Sequence, residues 1–249
     1  MSALNNTMRW ILPLLGTMIL LAAAGLLVGF TAGEEAEARY EGLEVEVERI
    51  DGVFFVDAAD VRNAVERVDS IRGSFVADVD LAAVQTAVAA LPAVADIEVY
   101  PGLDRQLHVK VAQRRPIARW HRDAERPDVY LDEQGLTMPL SRQFTARVPV
   151  IHAADSAGVA SGLTWVRACR RDPNMAAFTD QIIVAPKSRE LTIVPRIGMA
   201  RVVVGEASDL ALKWGKLSIF YREQIARGNL NEFKQVRLDY AGQVVATRY

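Results

Sequence analysis

Along most of this chain apolar and polar residues alternate with a period of two or recur every three to four positions, while one early stretch has no polar spacing at all. Between Arg9 and Glu34 there is no charged residue, and residues 11–30 are almost entirely apolar. About 20 such residues, rising about 1.5 Å each, match a hydrocarbon core of about 30 Å. The run exceeds a secretory h-region of about 7–15 residues, because Gly25, Gly29 and Phe30 extend it past the Ala-rich centre. The expectation is an uncleaved transmembrane helix over 10–31, between a cytoplasmic tail over 1–9 and a linker over 32–42. Arg9 alone precedes the run while Arg39 and Arg49 follow it, so charge orients it weakly. The short tail with its amine, and Trp10 at the interface, favour an inside N-terminus.

Beyond the linker, Leu43, Val45 and Val47 alternate with Glu44, Glu46 and Glu48, the period of a half-buried strand. Asp57 offers an N-cap to a helix with Val61, Val65 and Val68 on one face. Asp80 can cap a second helix lined by Leu81, Val84, Val88 and Leu91 and closed by Pro92. Ile97 and Val99, then Leu107, Val109 and Val111, mark two strands around a turn at 101–104. The order is strand, helix, helix, strand, strand.

From Ile117 onward the pattern is richer in strands. A strand through Tyr130 enters a turn at 133–135 and continues over 136–140, and a short apolar run follows at 148–151. A helix over 163–171 carries Trp165 and Cys169 one turn apart as buried packing residues, with Pro173 ending it. Segments 181–184 and 190–194 form a hairpin about the turn at 187–189, and 201–205 reads as another strand. Ser208 or Asp209 caps a long amphipathic helix with Leu210, Trp214, Leu217, Phe220 and Tyr221 inward. Segments 233–240 and 243–249 close the chain as a hairpin about Ala241 and Gly242. The expected fold class is α+β: one N-terminal transmembrane helix, a β-α-α-β-β domain over 43–114, and a second mixed domain over 115–249 with a β-sheet and flanking helices.

Composition narrows the function. With 249 residues there is room for the apolar run and one or two domains. A net charge of −2 without a long basic run argues against nucleic acid as the main partner. The sole cysteine, Cys169, excludes an intramolecular disulfide, so the fold rests on packing.

No catalytic constellation assembles from the sequence. His108 alternates with Leu107 and Val109 and so sits on the outer face of a strand, while His121 falls in a junction and His152 in a loop. No histidine pair has the i, i+4 spacing of a helical metal site, and there is no C-x-x-C, G-x-S-x-G, P-loop or dinucleotide fingerprint. The expectation is a protein without catalytic residues, cofactor or metal. Arg114 and Arg115 read either as a charged recognition pair or as a solvated turn held by Pro116.

The β-α-α-β-β order resembles a POTRA domain, a polypeptide-transport-associated module. The following residues, Gln113, Arg114, Arg115, Pro116, Ile117, Ala118, Arg119 and Trp120, are similar to the junction in the FtsQ/DivIB family of bacterial cell-division proteins. The run Tyr130, Leu131, Asp132 and Gly135 resembles that family's aromatic–Leu–Asp–x–x–Gly element, and the closing hairpin is similar to its terminal strands. Many members carry Glu where this chain has Gln113, and often Arg where it has Asp239.

The resemblance implies a bitopic scaffold of the inner membrane at the division site, with its bulk periplasmic. It would bind FtsB-like and FtsL-like partners and help control septal peptidoglycan synthesis. Exposed sheet edges template a partner's strand, and the terminal strand is the expected receiver. The residues so assigned are Val236, Arg237, Leu238, Tyr240, Gln243, Val245, Thr247 and Arg248. Arg237 or Arg248 would supply the basic contact that Asp239 cannot. Two other readings stay open: a POTRA-containing protein that handles polypeptides in envelope assembly or secretion, and a membrane-tethered periplasmic hydrolase.

Overall fold

The structure, a computed structural model, describes residues 18, 20–22, 38–48, 55–123, 125–141 and 144–249. Its folded part is α+β with a large mixed sheet. The expected fold needs correction at its N-terminal end: among the described residues no helix is long and apolar enough to cross a membrane. Most of the stretch expected to span, 10–31, lies outside the described residues, and the helical Met18, Leu20, Leu21 and Ala22 are exposed. Two compact units make up the rest, the first ending at Ala112 and the second holding Gln113–Tyr249 together with Phe55.

In the first unit, strand β1 (Gly42–Val47) is followed by helices α1 (Ala58–Glu66) and α2 (Leu81–Ala89) and strands β2 (Val94–Pro101) and β3 (Gln106–Gln113). β3 is central, parallel to β1 and flanked on its other side by β2. Asp57 caps α1 through a reciprocal capping box with Asp60, and Asp80 caps α2 by accepting from the Ala83 amide. Val61, Val65, Val84 and Val88 on the helices and Leu107, Val109 and Val111 on β3 are all buried. Val68 falls beyond the end of α1 and is exposed.

The second unit holds a nine-stranded sheet in the order β12-β11-β10-β9-β8-β7-β4-β5-β6. Its strands are β4 (Ala118–His121), β5 (Val129–Leu131), β6 (Thr137–Pro139), β7 (Val150–His152), β8 (Thr179–Val184), β9 (Leu191–Pro195), β10 (Arg201–Gly205), β11 (Phe233–Arg237) and β12 (Val245–Arg248). The helices are α3 (Ser156–Cys169), α4 (Pro173–Phe178) and α5 (Leu210–Arg227). Ile151, Ile182, Ile193, Val202 and Val236 point to the helix side and share a core with Leu163, Trp165, Leu217 and Tyr221. On the opposite face Val150, His152, Gln181, Ile183, Thr192 and Val194 are only half-buried.

Helix boundaries depart from the sequence expectation in three places. α3 begins at Ser156 because Asp155 caps it, accepting from the Gly158 amide while Arg189 bonds both its oxygens at 2.8 Å. Pro173, expected to end a segment, instead opens α4 at its first turn, where a missing N–H costs nothing, and Asp172 caps it. Asp209 stands at the N-cap of α5 with φ of 50° and makes no side-chain cap bond, and Ser208 lies outside the helix.

Trp165 and Cys169 are core residues as expected. The Trp165 indole donates to the Thr179 hydroxyl at 3.0 Å, which itself donates to the Met175 carbonyl at 2.8 Å. Burial pushes the Cys169 thiol up to about 11, so it stays protonated and inert at neutral pH. Substituting Thr179→Val removes the acceptor from a buried indole N–H, which costs about 1–3 kcal/mol. Urea denaturation followed by tryptophan fluorescence will show a lower midpoint with an unchanged slope.

Candidate functional site

The last hairpin is built from two unequal strands. β11 runs between β10, to which it is parallel, and β12, to which it is antiparallel. Its Phe233 and Val236, with Leu238 just beyond, are buried in the core. β12 pairs with β11 alone among the described residues, through Gln235 with Thr247, Val236 with Ala246 and Arg237 with Val245. Alternation explains its seating. Val244 and Ala246 pack against the core, while Val245 and Thr247 lie on the other face and are exposed. One side of β12 therefore presents backbone N–H and C=O groups without a strand partner among the described residues.

The connection into β12 is fastened from the helix layer. Lys216 Nζ, on α5, donates to the carbonyls of Leu238 at 3.2 Å, Tyr240 at 3.0 Å and Gln243 at 3.4 Å. Gly242 turns the chain with φ of 71°, a conformation that favours glycine. At the other end, the Tyr249 amide donates to the Glu232 carbonyl and Arg248 pairs with the Glu232 carboxylate at 3.5 Å. Sequence reasoning missed Lys216, because nothing in the helical period marks a lysine that reaches three carbonyls on a distant turn.

The residues assigned from the sequence fall into two groups. Val236 and Leu238 are core residues, 0% and 1% exposed, so their side chains support the edge from behind. Tyr240, Gln243, Val245, Thr247 and Arg248 are exposed on the turn and on β12. Arg237 is half-buried and hydrogen-bonded to Asp239, with its guanidinium 5.7 Å from the Tyr240 ring centre. That hydrogen bond holds the Asp239 carboxyl below its ordinary range. Asp239 thus neutralises Arg237, and Glu232 faces Arg248, so neither arginine is an isolated positive charge. Tyr249, which sequence reasoning did not include, adds an aromatic ring that is 75% exposed.

Other residues singled out from the sequence have structural partners. Gln113 is buried and its carbonyl oxygen accepts from the Phe55 amide at 2.9 Å, a role that needs no charge. Arg114 reaches the buried Asp132 at 3.4 Å, which places it in the base of the turn. Asp132 also accepts from the Leu136 amide at 2.8 Å, and Gly135 completes that turn with φ of 86°. His108 is held between Glu44 and Asp104, at 3.2 and 3.0 Å, and stacks on Tyr100. His121 and His152, expected in a junction and a loop, lie instead on neighbouring strands β4 and β7.

The fold and this edge define a two-unit α+β protein whose larger sheet is covered by helices on one face and ends in a strand that, among the described residues, is paired on one side only. Residues 115–247 match the family model described as FtsQ/DivIB, C-terminal related. That match covers more than half of the chain, and the chain belongs to this family, which sets it among cell-division proteins. None of the curated proteins compared with the chain matches it.

Replacing Lys216 with Met keeps the aliphatic stem and removes the three carbonyl contacts. Amide hydrogen exchange will then speed up in residues 238–248 while the Leu217 region of α5 keeps its protection.

Proposed function

We propose that this cell-division protein is a non-enzymatic divisome scaffold that receives an extended segment of an FtsB-like partner on the free edge of β12. The observation that supports this most is the pairing of β12 on one side only among the described residues, with exposed Tyr240, Val245, Thr247 and Tyr249 around it. Strand addition uses main-chain hydrogen bonds for affinity and alternate side chains for specificity, and both are available here. An FtsL-like protein, coiled with the first partner, would join the same complex. Through it the scaffold would help control septal peptidoglycan synthesis at the division-site membrane. We read the first unit as a POTRA-type module from its β-α-α-β-β order and its β1-β3-β2 sheet.

A scaffold reading fits the side chains best. Each of the three histidines is hydrogen-bonded to a carboxylate or an amide oxygen, and the one cysteine is buried with its thiol pushed up to about 11. Among the described residues none of the three histidines is hydrogen-bonded to a hydroxyl or thiol nucleophile, the arrangement that nucleophilic catalysis requires.

Substituting Val245→Glu together with Thr247→Glu leaves the core-facing Val244 and Ala246 in place and puts two like charges on the edge strand. Capture of the FtsB-like partner by the full chain is expected to fall at least tenfold. Undiminished capture would remove β12 as the receiving edge, whereas normal septation in cells depleted of the protein would remove the division role.

A further inference from the structure

The nine-stranded sheet brings together two histidines that the sequence keeps far apart. His121 on β4 and His152 on β7 are register partners across a parallel pair. Their side chains stand side by side on the open face, with ring centres 4.9 Å apart and ring planes tilted by 60°. Each imidazole is held from its far side. His121 Nδ1 lies 2.9 Å from the Asp128 carboxylate, next to β5, and His152 Nε2 lies 2.9 Å from Gln181 Oε1 on β8. The row therefore runs Asp128, His121, His152, Gln181 across four neighbouring strands or strand ends.

Those outer bonds set the tautomers. An ionised carboxylate only accepts, so His121 carries its proton on Nδ1, and a carbonyl oxygen likewise places the His152 proton on Nε2. Arg119 Nε donates to the Asp128 carboxylate at 2.7 Å, so the charge of Arg119 is already compensated. What remains is one lone-pair nitrogen on each ring, His121 Nε2 and His152 Nδ1. Neither takes part in a hydrogen bond among the described residues.

We propose that His121 and His152 form a binding site for a divalent transition-metal ion of the zinc type, ligated by His121 Nε2 and His152 Nδ1. A metal bound by two imidazoles lies in both ring planes, which tilted rings permit and stacked rings forbid. At Zn–N distances of about 2.0–2.1 Å and a roughly tetrahedral angle, the two ring centres stand about 5 Å apart. Asp128 and Gln181 supply the outer hydrogen bonds that orient metal-binding histidines and raise their basicity. The remaining coordination positions are open to water or to a donor from outside the chain. A bound ion would bridge the parallel seam between β4 and β7.

The third histidine gives the contrast. Glu44, Asp104 and His108 also lie within 4.8 Å of one another in the first unit. There both ring nitrogens face carboxylates and the ring is stacked on Tyr100 at 6°, so a metal would have to displace an existing hydrogen bond.

The test is a calorimetric titration of the chelator-stripped full chain with zinc. One zinc is expected at this pair, weakened tenfold or more by His121→Ala and by His152→Ala and unchanged by His108→Ala. Asp128→Asn is expected to weaken it about tenfold through loss of the orienting carboxylate. Long-range nitrogen NMR on the unsubstituted chain checks the assignment independently of any variant: zinc should shift His121 Nε2 and His152 Nδ1 and spare their hydrogen-bonded partners. An absence of zinc binding, its loss in His108→Ala alone, or ring shifts confined to His108 would overturn the site.

Discussion

Everything in the second unit depends on a sheet that buries one face under helices. The alternation along β7, β8, β9 and β10 sends Ile151, Ile182, Ile193 and Val202 to α3 and α5, where they are 0% exposed. A leucine-sized side chain taken out of water in this way contributes about 1.5–3 kcal/mol. The other face carries half-buried and polar residues along β7, β8 and β9, and buries Tyr130 and Met138 at its β5–β6 end, where Phe55 packs on Tyr130. This asymmetry leaves the strands free to differ on the open side without affecting the core. Among the described residues the strand order does not close on itself, so the edge at β12 belongs to the architecture as much as to its own sequence.

The seam between α3 and the sheet shows how polar groups are accommodated inside that core. Trp165, Thr179 and the Met175 carbonyl form a chain of hydrogen bonds at the start of β8. At the edge of the helix layer, Asp172 caps α4 and accepts from the Trp214 indole at 2.7 Å, tying α5 to α4. Glycine serves the same seam by omission. At Gly162 a Cβ would stand 2.8 Å from Ile151 Cγ2, so α3 approaches β7 more closely than any larger residue allows.

Much of this was legible from local periodicity. The Leu43-to-Glu48 alternation, the Leu107–Val109–Val111 run and the Asp57 and Asp80 caps each report on their own neighbourhood and were placed correctly. Terminal residues of helices were harder, because the expectation for Pro173 rested on its power to stop a helix and neglected its fitness at a first turn. Of the candidate edge, the exposed alternation at Val245 and Thr247 could be read, but the burial of Val236 and Leu238 depends on which strands flank β11. Pairing of His121 with His152 was invisible for the same reason. It requires β4 and β7 to be neighbours, a fact of topology that no spacing rule encodes.

The lysine that reaches three carbonyls beneath the last turn has a thermodynamic consequence. A strand that receives a partner usually loses conformational freedom when it does so, and that loss subtracts from affinity. Here Lys216 anchors the approach to β12, and Glu232 holds its far end through Arg248 and the Tyr249 amide. In the strand-addition reading proposed above, the template is fastened at both ends beforehand, so the entropy of ordering would fall mostly on the incoming segment. Discrimination among partners would then rest on how readily each can become extended.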